Sequence, residues 1–193
     1  MYKLIVVVLI ALLSGCAVFP GDKVPKITLS SYDGNAENKP TISYAYTAMG
    51  GLSTITRLPD STQSIMEGEL VSAMQGSEYF SRVSKVDDSA DIQMSVTMTN
   101  SGNPAAIIPA VITGLSLYTI PSWATDNYNL VVNVEKTGGL KKQYVLADST
   151  VVVQWLPMMF VFPAKNFSAI PELRKNMYRK VLSDMKNDGF FNQ

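Results

Sequence analysis

The chain contains no histidine and a single cysteine, Cys16, among 193 residues. Without imidazole, and with at most one thiol, the ligands preferred by structural and catalytic zinc, copper and iron are missing. The commonest general base goes with them, and so do the Ser-His and Cys-His nucleophile pairs. One cysteine also rules out an internal disulfide. Charge of one sign is not in excess either: 16 basic residues stand against 16 acidic ones. Such a surface exerts no general attraction on nucleic acid or anionic headgroups, and no nucleic-acid partner is expected. No cofactor is implied, and no metal site.

What is present begins at the amino terminus. Met1-Tyr2-Lys3 carries one positive charge, Leu4 to Leu13 is apolar throughout, and Ser14-Gly15-Cys16 follows. A charged start, a short apolar run and small residues describe a secretory signal peptide. The run is too short to span a bilayer, which needs ~20 apolar residues. Leu13-Ser14-Gly15-Cys16 resembles a bacterial lipobox. That resemblance implies cleavage between Gly15 and Cys16, with Cys16 becoming the acylated first residue of the mature chain. Residues 1–15 would then be signal, and loss of Lys3 leaves 15 basic residues against 16 acidic. Ala17 and Val18 follow the cysteine where the sorting signals it resembles would place Asp for inner-membrane retention, so an outer-membrane, periplasm-facing location is expected.

Residues 16–40 read as the lipidated cysteine and a flexible tether, because Pro20, Gly21, Pro25, Gly34, Asn35 and Pro40 interrupt any regular pattern. Fully extended, the 24 residues after Cys16 reach roughly 80 Å. Residues 41–193 read as one periplasmic domain. Thr41 to Thr47 alternates as a half-buried strand. Asp60 with Gln63 predicts a capped helix carrying Met66, Leu70 and Met74 on one stripe and closing at Gly76. Glu67 and Glu69 stand two apart on it, point to different faces and read as solvated charges. Tyr79 to Val83 reads as a short strand, and Asp87 to Asp91 as an acidic surface turn. Ile92, Met94, Val96 and Met98 give the clearest two-residue period in the chain. Tyr128, Leu130, Val132 and Val134 begin a hairpin that turns at Gly138-Gly139 and returns from Lys142 to about Gln154. Leu173, Met177, Val181 and Met185 place a second amphipathic helix after Ser168, ended by Asp188-Gly189.

These elements predict an α+β domain: an antiparallel sheet of about four to five strands with two amphipathic helices packed on one face. That element order resembles the small domains of envelope-assembly lipoproteins, of the lipopolysaccharide-transport-auxiliary and TolB-amino-terminal-like type. The resemblance carries no residue motif and transfers no functional residue.

Two stretches stand apart. From Ile92 to Thr125 there is no charged residue, and Ala105 to Pro121 is nearly all apolar; a second uncharged run spans Ser149 to Ala164. One reading packs them together as an exposed apolar lobe for a partner or a membrane surface, through Ile107, Ile108, Leu115, Tyr118, Trp123, Trp155 and Phe160. The other buries them as core elements. Asp148 interrupts an apolar strand, and with Asp126 it is the one carboxylate pair worth naming for hydrolytic chemistry. Asn166-Phe167-Ser168 fits a glycosylation acceptor, discounted beside a bacterial lipobox. The expected role is a membrane-anchored, non-enzymatic envelope lipoprotein whose domain binds or assists another envelope component, a protein or a lipid. The alternatives are a carboxylate-dependent periplasmic hydrolase and a small-lipid carrier using Met94, Met98, Met158 and Met159.

Overall fold

The alternation in residues 92–98 builds the centre of the structure. Its computed structural model describes residues 16–34, 38–158 and 168–191. In chain order the elements are β1 (Cys16–Pro20), β2 (Thr41–Gly51), β3 (Thr56–Arg57), α1 (Asp60–Ser77), β4 (Arg82–Lys85) and β5 (Ile92–Gly102). A 3-10 turn (Pro104–Ala106) then leads to α2 (Ile107–Leu115), β6 (Ser122–Lys136), β7 (Lys141–Gln154) and α3 (Ala169–Asn187).

The fold is α+β, with a mostly antiparallel seven-stranded sheet ordered β1-β7-β6-β5-β2-β3, and β4 also pairing with β2. Three features differ from the sequence expectation. The sheet has seven strands rather than four to five, a third helix, α2, joins the two expected, and β2 runs parallel to both β4 and β5. The parallel pairs follow from α1: a helical crossover returns the chain to the end where β2 began, so the next strands run the same way.

Register places one apolar residue from each strand in successive rows. Tyr46 pairs with Val96, Val96 with Val132, and Val132 with Tyr144. The next row joins Ala48, Met98 and Leu130, and all of these side chains are buried. Helix α1 covers this face with Met66, Leu70, Ala73 and Met74, and α3 with Leu173, Met177, Tyr178, Val181, Leu182 and Met185. The helical stripes read from sequence are therefore the buried stripes.

The caps differ from expectation. Pro59 precedes the first turn of α1 without any side-chain cap, and Gln63 turns inward. Its side-chain carbonyl accepts from the Ala48 amide at 3.2 Å, so tertiary pairing takes the residue that a capping box would have used. Helix α1 ends not at Gly76 but at Ser77, and Glu78 after it supplies the left-handed turn with a φ of 58°.

Between α3 and the sheet, the hydroxyls of Tyr46 and Tyr178 meet at 2.8 Å. Burial pushes the Tyr46 phenol up to about 12 and raises Tyr178 as well. In the unfolded chain both ionise near 10, whereas the folded chain keeps their protons. Stability is therefore fully present below about pH 10 and declines as the pH rises through the folded values. We expect a loss of about 1 kcal/mol per phenol at pH 11. Melting at pH 9 and pH 11 checks this; equal melting temperatures would contradict it, and Tyr46→Phe should flatten the dependence.

The largest departure concerns the segment read as a free tether. Residues 16–34 form a strap on the body. Strand β1 pairs antiparallel with β7, from Cys16 opposite Gln154 to Pro20 opposite Thr150. Asp148 then receives the amides of Lys23 (3.2 Å) and Val24 (3.1 Å), and Val24 enters the core. Asn176 of α3 accepts from the Ile27 amide at 2.8 Å and donates to the carbonyls of Val24 and Pro25. Farther on, Tyr79 donates to the Ser30 carbonyl, and Lys186 pairs with Asp33 at 2.8 Å. The breakers Pro20, Gly21 and Pro25 do forbid a helix. They do not forbid an extended strap whose backbone is satisfied by side chains of the body.

Gly21 marks the tightest passage. Its amide donates to the Ser149 carbonyl at 2.6 Å, and a Cβ there would stand 2.5 Å from Ser149 Oγ and 2.8 Å from that carbonyl oxygen. Gly21→Val should cost about 1–3 kcal/mol through this overlap. Faster hydrogen exchange at the Lys23 and Val24 amides checks the effect, and unchanged protection would contradict it.

Candidate functional site

Strand β5 stops at Gly102, opposite Asp126, while β6, β7 and β1 run on to a terminal row of Ser122, Gln154 and Cys16. That overhang is four residues, about 13 Å at strand rise. Helix α2 fills the place beside β6 that β5 vacates, because the chain turns through Asn103 and Pro104 directly after β5. Asn103 fixes the turn by accepting from the Ala105 amide at 2.9 Å.

The orientation of α2 is inverted relative to an ordinary surface helix. At 100° per residue, Ile107, Ile108, Val111, Ile112 and Leu115 share one arc, and Ala106, Ala110 and Thr113 the other. The small residues face the protein: Thr113 is fully buried, and Ala106 and Ala110 are half-buried. The large residues face outward, with Ile108 70% and Leu115 82% exposed.

The connection to β6 continues the surface. Leu117 is 69% and Trp123 68% exposed, Ile120 is exposed, and Tyr118 is half-buried. Leu117 (φ 53°) and Tyr118 (φ 62°) occupy the left-handed region, a cost of about 1–3 kcal/mol each for non-glycine residues. The Tyr118 amide donates to the Thr113 carbonyl, and its own carbonyl accepts from the Leu156 amide, both at 2.8 Å. The second bond ties the two uncharged runs together and brings the exposed Trp155 beside them. Of fifteen exposed large apolar side chains among the described residues, eight lie between 107 and 123. Scattered exposure needs no explanation; a run of exposed apolar residues in one stretch does. Six of the seven lobe residues named from sequence are brought together here. Phe160 and Gly15 lie outside the described residues, as do Asn166 and Phe167.

Cys16 opens the edge strand of the same end. Its Cα is separated from that of Ser122 by two strand spacings, about 10 Å. The side chain is half-buried, and burial raises its thiol above the usual range, offset in part by a hydrogen bond with Gln154.

Strand register places the carboxylate pair. Asp126 lies opposite Thr150 and Asp148 opposite Tyr128, so the two acids share one face of the sheet as diagonal neighbours. Burial raises the Asp126 carboxyl. Asp148 is 4% exposed and accepts three backbone amides, those of Lys23, Val24 and Ser149. It does not face water, and among the described residues it pairs with no lysine; its oxygens hold the strap. Among the described residues no cluster of three acids, cysteines or histidines could hold a metal ion.

The uncovered face of the sheet carries an open hollow of about 600 Å³ lined by Ser43, Gln93, Ser95, Asn133 and Gln143 among others. Sequence alone does not mark it, because alternate polar residues on strands report only a solvated face. Its amides are already engaged: Gln143 donates to Asn133 at 2.8 Å and Gln93 to the Asp87 carbonyl at 2.8 Å.

No family model matches this chain, and no curated protein does. A few solved structures resemble it distantly, at low identity. A homolog of the neuraminyllactose-binding hemagglutinin from Helicobacter pylori is 11% identical, with a TM-score of 0.45, over 84% of this chain and 88% of its own. PelC from Paraburkholderia phytofirmans, a dodecamer, is 12% identical with a TM-score of 0.34, over 87% and 95%. A DUF4136 family protein from Bacteroides thetaiotaomicron is 12% identical with a TM-score of 0.31, over 84% and 99%. Among the described residues no helix is long and apolar enough to cross a membrane.

Proposed function

We propose that this chain is a membrane-anchored, non-enzymatic lipoprotein of the bacterial outer membrane, facing the periplasm, whose domain binds or assists another envelope component in assembly or transport. The observation that carries the reading is the position of Cys16. The residue that the lipobox resemblance would acylate opens an edge strand at the very end of the sheet that bears the exposed apolar lobe. An acyl anchor there needs no leash: it would hold the body directly at the bilayer, with the lobe beside it. The absence of histidine and the engagement of Asp148 by the strap support a role without catalysis.

Photo-crosslinking in intact cells tests the binding role. A photoreactive residue at Leu115, on the lobe, and another at Asn133, on the open sheet face, should yield a discrete adduct with an envelope protein or lipid from at least one position. Chains recovered without any adduct above background from either position would contradict an accessory role.

A further inference from the structure

We infer that the α2 lobe is a second membrane contact, entering the headgroup and upper acyl region of the same bilayer that holds Cys16. The inference rests on the lipoprotein reading above and names the occupant of the lobe as a lipid surface. Four observations carry it. First, α2 turns its isoleucine, valine and leucine side chains outward and its alanine and threonine inward, the opposite of what burial in water favours and what an interfacial helix requires. Second, the stretch from Ile92 to Thr125 carries no charge, so no charged side chain of it opposes entry into a low-dielectric layer, and no ion pair is offered to a protein partner. Third, the surface includes the exposed Trp123 and the half-buried Tyr118, and rings with a dry body and a polar tip favour a membrane boundary. Fourth, register puts Cys16 two strands from Ser122, so an apolar attachment at that cysteine and the lobe would meet one plane.

Two attachments rather than one would fix the orientation of the domain, because a single acylated residue leaves the body free to swivel.

The chain has two tryptophans, Trp123 and Trp155, and both belong to the lobe, so intrinsic fluorescence reads it directly. The full acylated chain is reconstituted in phosphatidylethanolamine and phosphatidylglycerol vesicles, with or without brominated acyl chains. The expected result is blue-shifted emission that brominated lipid quenches. A chain carrying Ile108→Asp and Leu115→Asp, both exposed positions that leave the core intact, should still sediment with the vesicles through its acyl groups but lose that quenching. Sedimentation without quenching of the unaltered chain would overturn the inference while leaving the lipoprotein reading in place. So would quenching that survives both substitutions, or a blue shift that appears without vesicles and grows with protein concentration, the mark of a second copy on the lobe. A purified chain that carries no acyl groups and stays in the supernatant would overturn both readings together.

Discussion

Replacing Glu69 with alanine should destabilise the domain by about 3–5 kcal/mol, because it strands a buried guanidinium. Arg174 of α3 donates from Nε and Nη2 to the two carboxylate oxygens of Glu69 on α1, both at 2.7 Å, and the side chains are only 11% and 9% exposed. A surface ion pair would matter little. This one has lost its water, and the planar fork leaves neither charge another partner of equal geometry. A loss of that size is a large part of the 5–15 kcal/mol that holds a typical domain together. It should lower the melting temperature on the order of 10 °C for a chain of this length. The pair fastens the two helices to each other, so its removal should loosen α3 in particular. Replacing both residues together, Glu69→Leu with Arg174→Met, should recover most of the loss, since an apolar pair leaves no charge to desolvate. Thermal melts of the single and double variants check this. A single variant that melts with the unaltered chain, or a double variant no better than the single, would contradict it.

Replacing Asp148 with alanine should release the strap. Three backbone amides would lose their acceptor at once: Ser149 at 2.7 Å, Val24 at 3.1 Å and Lys23 at 3.2 Å. Because the acceptor sits in a buried carboxylate, the cost is about 3 kcal/mol. The damage should be local. Strand β1 and the residues up to Val24 rest on β7, whereas the rows joining β2, β5 and β6 do not depend on them. Trypsin should therefore cut after Lys23 or Lys26 in the variant while leaving the body intact. Asp148→Asn, which keeps one acceptor oxygen, should fall between. Equal resistance of the strap in all three chains would remove the assigned role. With Cys16 acylated, releasing the strap would also turn a body held directly at the bilayer into one on a leash.

The parts of this fold that are legible in the sequence are those governed by local period. Ile92, Met94, Val96 and Met98 alternate on β5, and Leu173, Met177, Val181 and Met185 recur on α3; each set is buried as its period requires. What stays hidden depends on partners distant in sequence. Alternation carries no direction, so the parallel pairing of β2 with β5 cannot be read from it. Cys16 to Pro20 is too short and too near two prolines to announce a strand; it becomes one because β7 offers an edge. Glu69 reads as a solvated charge because its partner lies 105 residues away. The lobe is half legible. Composition marks Ala105 to Pro121 as apolar and leaves burial and exposure open, since the choice depends on which arc of a nine-residue helix meets β6. The small side chains of Ala106, Ala110 and Thr113 make that contact, and the large ones are left outside.

Both anchoring and the membrane-facing lobe stand or fall with acyl chains on Cys16. Cells grown on labelled palmitate, followed by purification of the chain, decide the matter. Label should appear on the mature protein beginning at Cys16, and none should appear when Cys16→Ser is introduced. An unlabelled protein, or equal label in the serine variant, would contradict the assignment.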